Sequence, residues 1–142
     1  IDACGKAGRP DLGYAVAAGD MTQIDAAWET ANAFRRKIIA SAAAAEAVAE
    51  NVWLSDSVET ASDVADIFVR SKQMPVVVLA RGTEYLKVSA RAPADSSVDF
   101  EQMMKTSAEK FGGAGGGHKT RAGGELPLAC ESAFIASVKE YL

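Results

Sequence analysis

Seven of the twelve glycines in this 142-residue chain lie within thirteen residues, from Gly112 to Gly124. Because glycine has no Cβ atom, backbone N–H groups in such a stretch can approach an anion and form a partly positive nest. The stretch also contains the only histidine, His118, and two cations, Lys119 and Arg121. This combination favours a phosphate-binding loop. The alternative from the residues alone is a flexible or packing-driven glycine turn whose histidine hydrogen-bonds to backbone.

The glycine cluster differs from the P-loop of nucleoside triphosphatases. In the pattern G-x-x-x-x-G-K-[ST], Lys119 and Thr120 supply the final pair, but His118 stands where a glycine is required. The cluster also follows a predicted helix that ends near Phe111, whereas a P-loop follows a strand. The departures argue against a nucleoside triphosphatase.

The composition is that of an ordinary globular domain. Hydrophobic residues make up 49% of the chain and charged residues 24%, which predicts one domain with a core of its own. The net charge of −4 argues against a protein that coats duplex nucleic acid through a broad basic surface. No apolar run reaches the ~20 residues of a membrane span, and the first residues lack the order of a signal peptide. We therefore expect a cytoplasmic protein that has no membrane partner.

Few residues are available for metal or disulfide chemistry. Cys4 and Cys130 lie far apart and neither belongs to a CxxC pair, so two free thiols are expected. With His118 as the only histidine, neither a zinc cluster of histidines and cysteines nor an HExxH helix can be assembled. We expect no metal ion within this chain.

Hydrophobic spacing predicts helices that alternate with strands. Residues 22–50 contain no glycine or proline and have apolar residues three and four apart, as in one long amphipathic helix. Residues 76–79 are typical of a strand covered on both faces, and 85–91 of a strand with one apolar and one polar face. Asp99 caps a further helix, and 125–128 is expected to be a short edge strand. The pattern predicts an α/β fold with a small mixed β-sheet flanked by helices and preceded by a long connector helix.

The glycine cluster resembles a family signature. Residues 115–124 read Gly-Gly-Gly-His-Lys-Thr-Arg-Ala-Gly-Gly, which is similar to the GGGHxxAAG signature of the DHH-associated substrate-binding domain. That domain occurs in RecJ-like exonucleases, oligoribonucleases and cyclic-dinucleotide phosphodiesterases. The chain departs from the signature at Arg121, where the family usually has a small residue.

Three further segments resemble RecJ-like proteins, in the order found in that family. Residues 87–91 resemble a strand that ends in a substrate-contacting arginine, here Arg91. Residues 1–8 are similar to the N-A-x-G-R-x-G segment that closes the catalytic DHH domain, and residues 31–36 resemble the N-x-x-R start of the helix that links the two domains. The Ala-Cys-Gly variant at residues 3–5 looks more like archaeal members than bacterial ones.

The resemblance implies an order of domains. Residues 1–20 correspond to the end of the catalytic DHH domain, 21–50 to the connector helix and 51–142 to the substrate-binding domain. We therefore expect the chain, which begins with Ile1 instead of Met, to be the C-terminal part of a longer phosphoesterase. In that family Mn²⁺ or Mg²⁺ ions in the DHH domain activate water against a phosphodiester. This chain has no Asp-His-His string to hold them, so no catalysis is expected from it alone.

The resemblance also implies a substrate and partners. The expected ligand is single-stranded nucleic acid or a short oligonucleotide, and replication or repair proteins are expected partners. The residues expected to bind substrate are the strand-end arginine and those of the signature: Arg91, Gly115, Gly116, Gly117, His118, Lys119 and Arg121.

Two other interpretations stay open at this point. One is a non-catalytic scaffold of a replication complex, in which a RecJ-like protein has lost its metal site. The other is the related domain at the end of alanyl-tRNA synthetases, which also has a glycine run. His118, Lys119 and the Ala-Cys-Gly segment at residues 3–5 favour the nuclease side.

Overall fold

The computed structural model describes residues 1–142, which form two compact units, residues 1–40 and 41–142. The fold is a mixed α/β sheet flanked by helices and preceded by a long helix, which confirms the fold class predicted from the sequence. None of the helices combines the length and apolar composition needed to span a lipid bilayer.

Helices make up the first unit. They are α1 (Asp2–Lys6), α2 (Pro10–Ala17) and α3 (Ile24–Ala44), whose last turn lies beyond the unit boundary. A proline at the start of α2 is favourable because the first helical N–H has no partner within the helix. Trp28 of α3 is 63% exposed, with the Arg35 guanidinium 5.7 Å from its ring centroid. Trp28 therefore remains exposed, although it belongs to the apolar pattern of α3.

A six-stranded sheet organises the second unit. Its strands are β1 (Glu46–Ala49), β2 (Val52–Ser55), β3 (Val76–Arg81), β4 (Tyr85–Arg91), β5 (Ala114–His118) and β6 (Arg121–Pro127). Their order across the sheet is β1-β2-β3-β4-β6-β5. Only β2 and β3 are parallel neighbours, and every other pair is antiparallel.

Helices cover the two faces of the sheet. On one face α4 (Ala61–Lys72) packs its buried Val64 and Ala65 in a cluster with alternate residues of β3. On the other face α5 (Phe100–Phe111) and α6 (Glu131–Val138) bury Phe100 and Phe134 in the main core. Residues 76–80 are completely buried because both faces of β3 are covered. This confirms the prediction of a strand covered on both sides.

The long helix is shorter than the sequence pattern indicates. α3 ends at Ala44, and residues 46–49, predicted to be helical, form the edge strand β1. Asn51 has a φ of 58°, a left-handed conformation that asparagine tolerates, and it reverses the chain so that β1 pairs with β2. Alanine favours a helix here, but this is a weak preference that pairing with β2 outweighs. The prediction of a helix to Glu50 is therefore wrong.

The glycine cluster is a β-hairpin and not a loop. β5 and β6 pair in antiparallel register through a two-residue connection, Lys119-Thr120. β5 forms the edge of the sheet, whereas β6 lies between β4 and β5. The prediction that 125–128 is a short edge strand is wrong. Residues 125–127 are the end of β6, a longer strand that begins at Arg121 and lies inside the sheet because its glycines pair with β4 and β5. The segment predicted to be a loop is therefore a pair of strands.

Candidate functional site

The register places three of the predicted substrate-binding residues, two arginines and the histidine, in one row across three strands. Arg91 of β4 is opposite Arg121 of β6, and Arg121 is opposite His118 of β5. Residues directly opposite in an antiparallel pair point to the same side of the sheet. Arg91, Arg121 and His118 therefore share one face and form what we call the cationic row.

A row without bulky side chains lies beside the cationic row. Ser89 is opposite Gly123, and Gly123 is opposite Gly116. This glycine row is two residues along each strand from the cationic row, a separation of about 7 Å. A Cβ atom built at Gly116 would meet no atom within 4 Å. The sheet surface is therefore bare at this end of the row.

The glycines of the signature divide between the two faces of the hairpin. Gly115 and Gly117 lie on the side of α5, where a Cβ atom at Gly115 would be 2.7 Å from Met104 Cε. Gly117 has a φ of 141°, and a Cβ atom there would lie 2.6 Å from Ala122 Cα. These two glycines allow close packing of the hairpin. Of the three predicted to bind substrate, only Gly116 faces the cationic side.

Arg91 is held within the protein. Its residue exposure is 8%, and Nε donates a 2.7 Å hydrogen bond to Asp66 Oδ1 of α4. Its Nη1 also donates to the carbonyl oxygens of Ala90 and Ala122, at 2.9 and 3.3 Å. The strand-end arginine predicted to contact substrate is thus fixed among protein acceptors.

Arg121 also pairs with Asp66 but is exposed. We call Arg91, Asp66 and Arg121 the Asp66 cluster. Arg121 Nη1 donates to Asp66 Oδ1 at 2.9 Å and its Nη2 to Asp66 Oδ2 at 3.1 Å, while 59% of the side chain remains exposed. Burial raises the pKa of Asp66, but hydrogen bonds from Arg121 and Arg91 outweigh burial and leave that pKa below its ordinary value. The carboxylate and two guanidiniums carry a net charge of +1.

Asp66 was not predicted from the sequence. It lies in an otherwise apolar stretch of α4, between Ala65 and Ile67, and a single acidic residue in such a helix is a weak signal. Its contact with β4 and β6 becomes visible only once the strands are in register.

The tip of the hairpin is held by its main chain. The Lys119 carbonyl oxygen accepts from the Phe100 N–H at 2.9 Å, and the Thr120 carbonyl oxygen accepts from the Ala92 N–H at 2.9 Å. These bonds fix the tip to the start of α5 and to the residue after β4. The side chains of His118 and Lys119 are exposed.

The structure brings no group of three or more histidine, cysteine, aspartate or glutamate side chains together. A resident pair of Mn²⁺ or Mg²⁺ ions needs several carboxylate or histidine ligands close together, so these residues do not fit one. We assign no metal-dependent step to this chain.

Comparison with known families extends this picture. The family model of the DHHA1 domain matches residues 37–142. The chain belongs to the DHHA1 family. The matched region contains the sheet, the glycine hairpin and the Asp66 cluster.

Solved structures with the same fold include RecJ from Thermus thermophilus, in complex with Mn²⁺. The TM-score is 0.81 and the identity 22%, and the match covers 99% of this chain and 22% of RecJ. At this identity the likeness shows the fold. The DHHA1 chain thus spans about a fifth of the length of RecJ.

Two further structures are similar over part of the chain. The C-Ala domain of Aquifex aeolicus alanyl-tRNA synthetase has a TM-score of 0.54 and 19% identity, covering 64% of this chain and 86% of that domain. A pGpG-specific phosphodiesterase from Vibrio cholerae has a TM-score of 0.51 and 16% identity, covering 85% of this chain and 43% of its own. No curated protein matches the chain in sequence.

Proposed function

We propose that this DHHA1 chain is the substrate-holding part of a RecJ-like phosphoesterase. It binds phosphate groups of single-stranded nucleic acid or short oligonucleotides on the side of β4, β6 and β5 that carries the cationic row. The observation that carries the proposal is the cationic row beside the glycine row, whose Gly116 end is open. Membership of the DHHA1 family and the fold shared with RecJ support it.

The chemistry of the two rows suits a phosphodiester chain. Arginine presents a planar fork of donors that matches phosphate oxygens, and Arg121 is both exposed and oriented. His118 supplies a further donor or a ring for base contact at the sheet edge. The glycine row lets a ligand lie against the backbone close to these donors. The part of this face over β6 and β5, where Arg121 and His118 are exposed, accepts an extended ligand, in contrast to the concave pocket typical of small-molecule sites.

In the complete protein the role of this chain is to position the scissile bond. Hydrolysis of the phosphodiester takes place at Mn²⁺ or Mg²⁺ ions held by a separate DHH domain, and binding here brings substrate to them. The structure of RecJ with bound Mn²⁺ supports this division of labour. We propose that the complete protein is an archaeal-type, cytoplasmic, single-strand-specific exonuclease that works with replication or repair proteins.

Fluorescence anisotropy with a labelled, 5′-phosphorylated thymidine tetranucleotide, pdT4, tests the proposal on the 142-residue chain. Arg121→Ala removes a charged donor and is expected to raise the Kd by at least about tenfold. His118→Ala is expected to raise it by about three- to tenfold. A variant that no longer neutralises one phosphate is expected to show a slope of log K against log salt that is shallower by about 0.7.

Lys105→Ala is the matched control. Lys105 is an exposed cation that pairs with Glu101 at 2.6 Å on α5, on the opposite side of the sheet, so its removal is expected to leave the Kd unchanged. Absence of pdT4 binding, or equal Kd values for wild type and Arg121→Ala, would contradict the proposal. Absence of binding would favour the non-catalytic scaffold, whereas equal Kd values would mean that pdT4 binds elsewhere on the chain.

A further inference from the structure

We infer that Asp66 is a positioning residue of this site, which holds the Arg121 guanidinium in the orientation that a phosphate requires. The inference rests on the proposed function and adds a residue outside the glycine signature and the strand-end arginine. It makes a carboxylate, which repels phosphate, necessary for tight phosphate binding.

The contacts give Asp66 control over the direction of Arg121. Both Asp66 oxygens accept from the two Nη atoms of Arg121, at 2.9 and 3.1 Å. Such an end-on, two-point contact fixes the plane of the guanidinium as well as its position. Without it, an arginine that is 59% exposed is free to take many rotamers.

Asp66 is itself fixed from the interior of the domain. Arg91 is only 9% exposed at its side chain and donates to Asp66 Oδ1 at 2.7 Å. Arg91 is anchored in turn by the carbonyl oxygens of Ala90 and Ala122. A continuous series of hydrogen bonds therefore runs from the backbone of β4 and β6 through Arg91 and Asp66 to Arg121.

The ion pair leaves donors available on Arg121. A guanidinium has five N–H groups, and the contact with Asp66 uses one on each Nη atom. The Nε–H group and the second hydrogen of each Nη remain to bind a phosphate. Arg121 can therefore take a phosphate while it is still held by Asp66.

Positioning and simple electrostatics predict opposite signs for the loss of this carboxylate. Asp66→Asn raises the charge of the cluster from +1 to +2, so electrostatics alone predicts tighter binding of pdT4. If Asp66 positions Arg121, binding is expected to weaken by about three- to tenfold, because Arg121 then has to be ordered when the ligand binds. A higher Kd for Asp66→Asn supports positioning, and a lower Kd supports electrostatics alone.

A double-mutant cycle with pdT4 and the 142-residue chain separates positioning from a general structural effect. Asp66→Asn is expected to weaken binding in the wild-type background and not to weaken it further when Arg121 is alanine. A merely structural role would lower affinity in both backgrounds. Asp56→Asn, which removes an exposed carboxylate after β2, is the charge-matched control and is expected to leave the Kd unchanged.

Asp66→Glu keeps the test valid if Asp66→Asn does not fold, as judged by thermal unfolding. Glutamate retains a charged partner for Arg91 but moves the carboxylate by one methylene, so weaker binding is expected only where Arg121 is present. Unchanged or tighter binding, or an equal loss in both backgrounds, would overturn the inference alone. Failure of the wild-type chain to bind pdT4 would overturn the proposed function together with it.

Discussion

Replacing Gly116 with alanine adds one methyl group to the glycine row and tests whether this bare surface is where the ligand lies. The space above Gly116 is open within 4 Å, and its φ lies outside the left-handed region. Alanine therefore fits there without a steric clash. Because glycine loses more backbone entropy than alanine on folding, stability is expected to stay equal or rise by up to about 1 kcal/mol.

The effect of the methyl group on binding follows from distances. A Cβ atom stands about 1.5 Å from its Cα, so a ligand that rests on the backbone of Gly116 is displaced by a similar amount. This displacement takes a hydrogen bond of about 2.9 Å beyond its useful range. Loss of one hydrogen bond to a charged phosphate weakens binding by about 1.5–3 kcal/mol. The Kd for pdT4 is therefore expected to rise about tenfold or more.

Gly124→Ala is the matched comparison on the other face of the same hairpin. A Cβ atom there would overlap the Ala114 carbonyl oxygen and lie 2.6 Å from Gly115 Cα. Backbone atoms must move to relieve this, at a loss of about 1–3 kcal/mol of stability. For a domain of this size, the expected fall in Tm is roughly 5–15 °C.

Thermal unfolding by circular dichroism and anisotropy titration with pdT4 measure the two effects. Gly116→Ala is expected to keep its Tm and lose affinity, whereas Gly124→Ala is expected to lose Tm. An unchanged Kd for Gly116→Ala would show that the ligand does not rest on the glycine row. A fall in Tm for Gly116→Ala as large as that for Gly124→Ala would refute the division of the glycines between the two faces.

Two further predictions concern stability. Because the pKa of Asp66 is below its ordinary value, its contribution to stability is complete above about pH 5 and is lost as the pH falls through the unfolded-state and then the folded-state pKa; urea unfolding across this range should show a shallower decline for Asp66→Asn. At the β1–β2 turn, Asn51→Ala should lower the free energy of unfolding by about 1–2 kcal/mol, since φ is positive. Asn51→Gly should leave it unchanged or higher, and an equal loss in both variants would contradict this reasoning.

The sequence predicts best where one side of an element is consistently apolar. The alternation of apolar and polar residues places β4 at 85–91, and the structure has the strand at Tyr85–Arg91. The side chain of Asp99 accepts from the Gln102 N–H at 2.9 Å, as expected of a residue that caps α5. These features depend on local periodicity and capping, which the chain carries within a few residues.

The glycine hairpin is the element that periodicity cannot predict. A strand such as β5, with three consecutive glycines, has no alternation of side chains to indicate its period or its buried face. Its register comes from pairing with β6, and β6 in turn from β4. For that reason the glycine signature marks the site in the sequence, but its division between two faces emerges only in three dimensions.

Long-range contacts also change the interpretation of Arg91. The sequence pattern predicts that the polar side of β4 serves a ligand, yet Asp66, 25 residues earlier, takes the Arg91 guanidinium. No spacing rule links a helix residue to a strand residue at that separation. The exposed Arg121, which departs from the family signature, is the arginine the structure leaves accessible.

Main-chain hydrogen bonds hold the tip of the β5–β6 hairpin in place, so its position does not depend on which side chains it carries. Any residue at positions 119 and 120 carries a carbonyl oxygen, so the bonds to Phe100 and Ala92 survive a change of side chain. Substitutions at Lys119 and Thr120 can therefore change the charge, length or hydrogen bonding of the side chains beside His118 without changing the fold. Relatives could diversify their ligand preferences at these two positions with little loss of foldability.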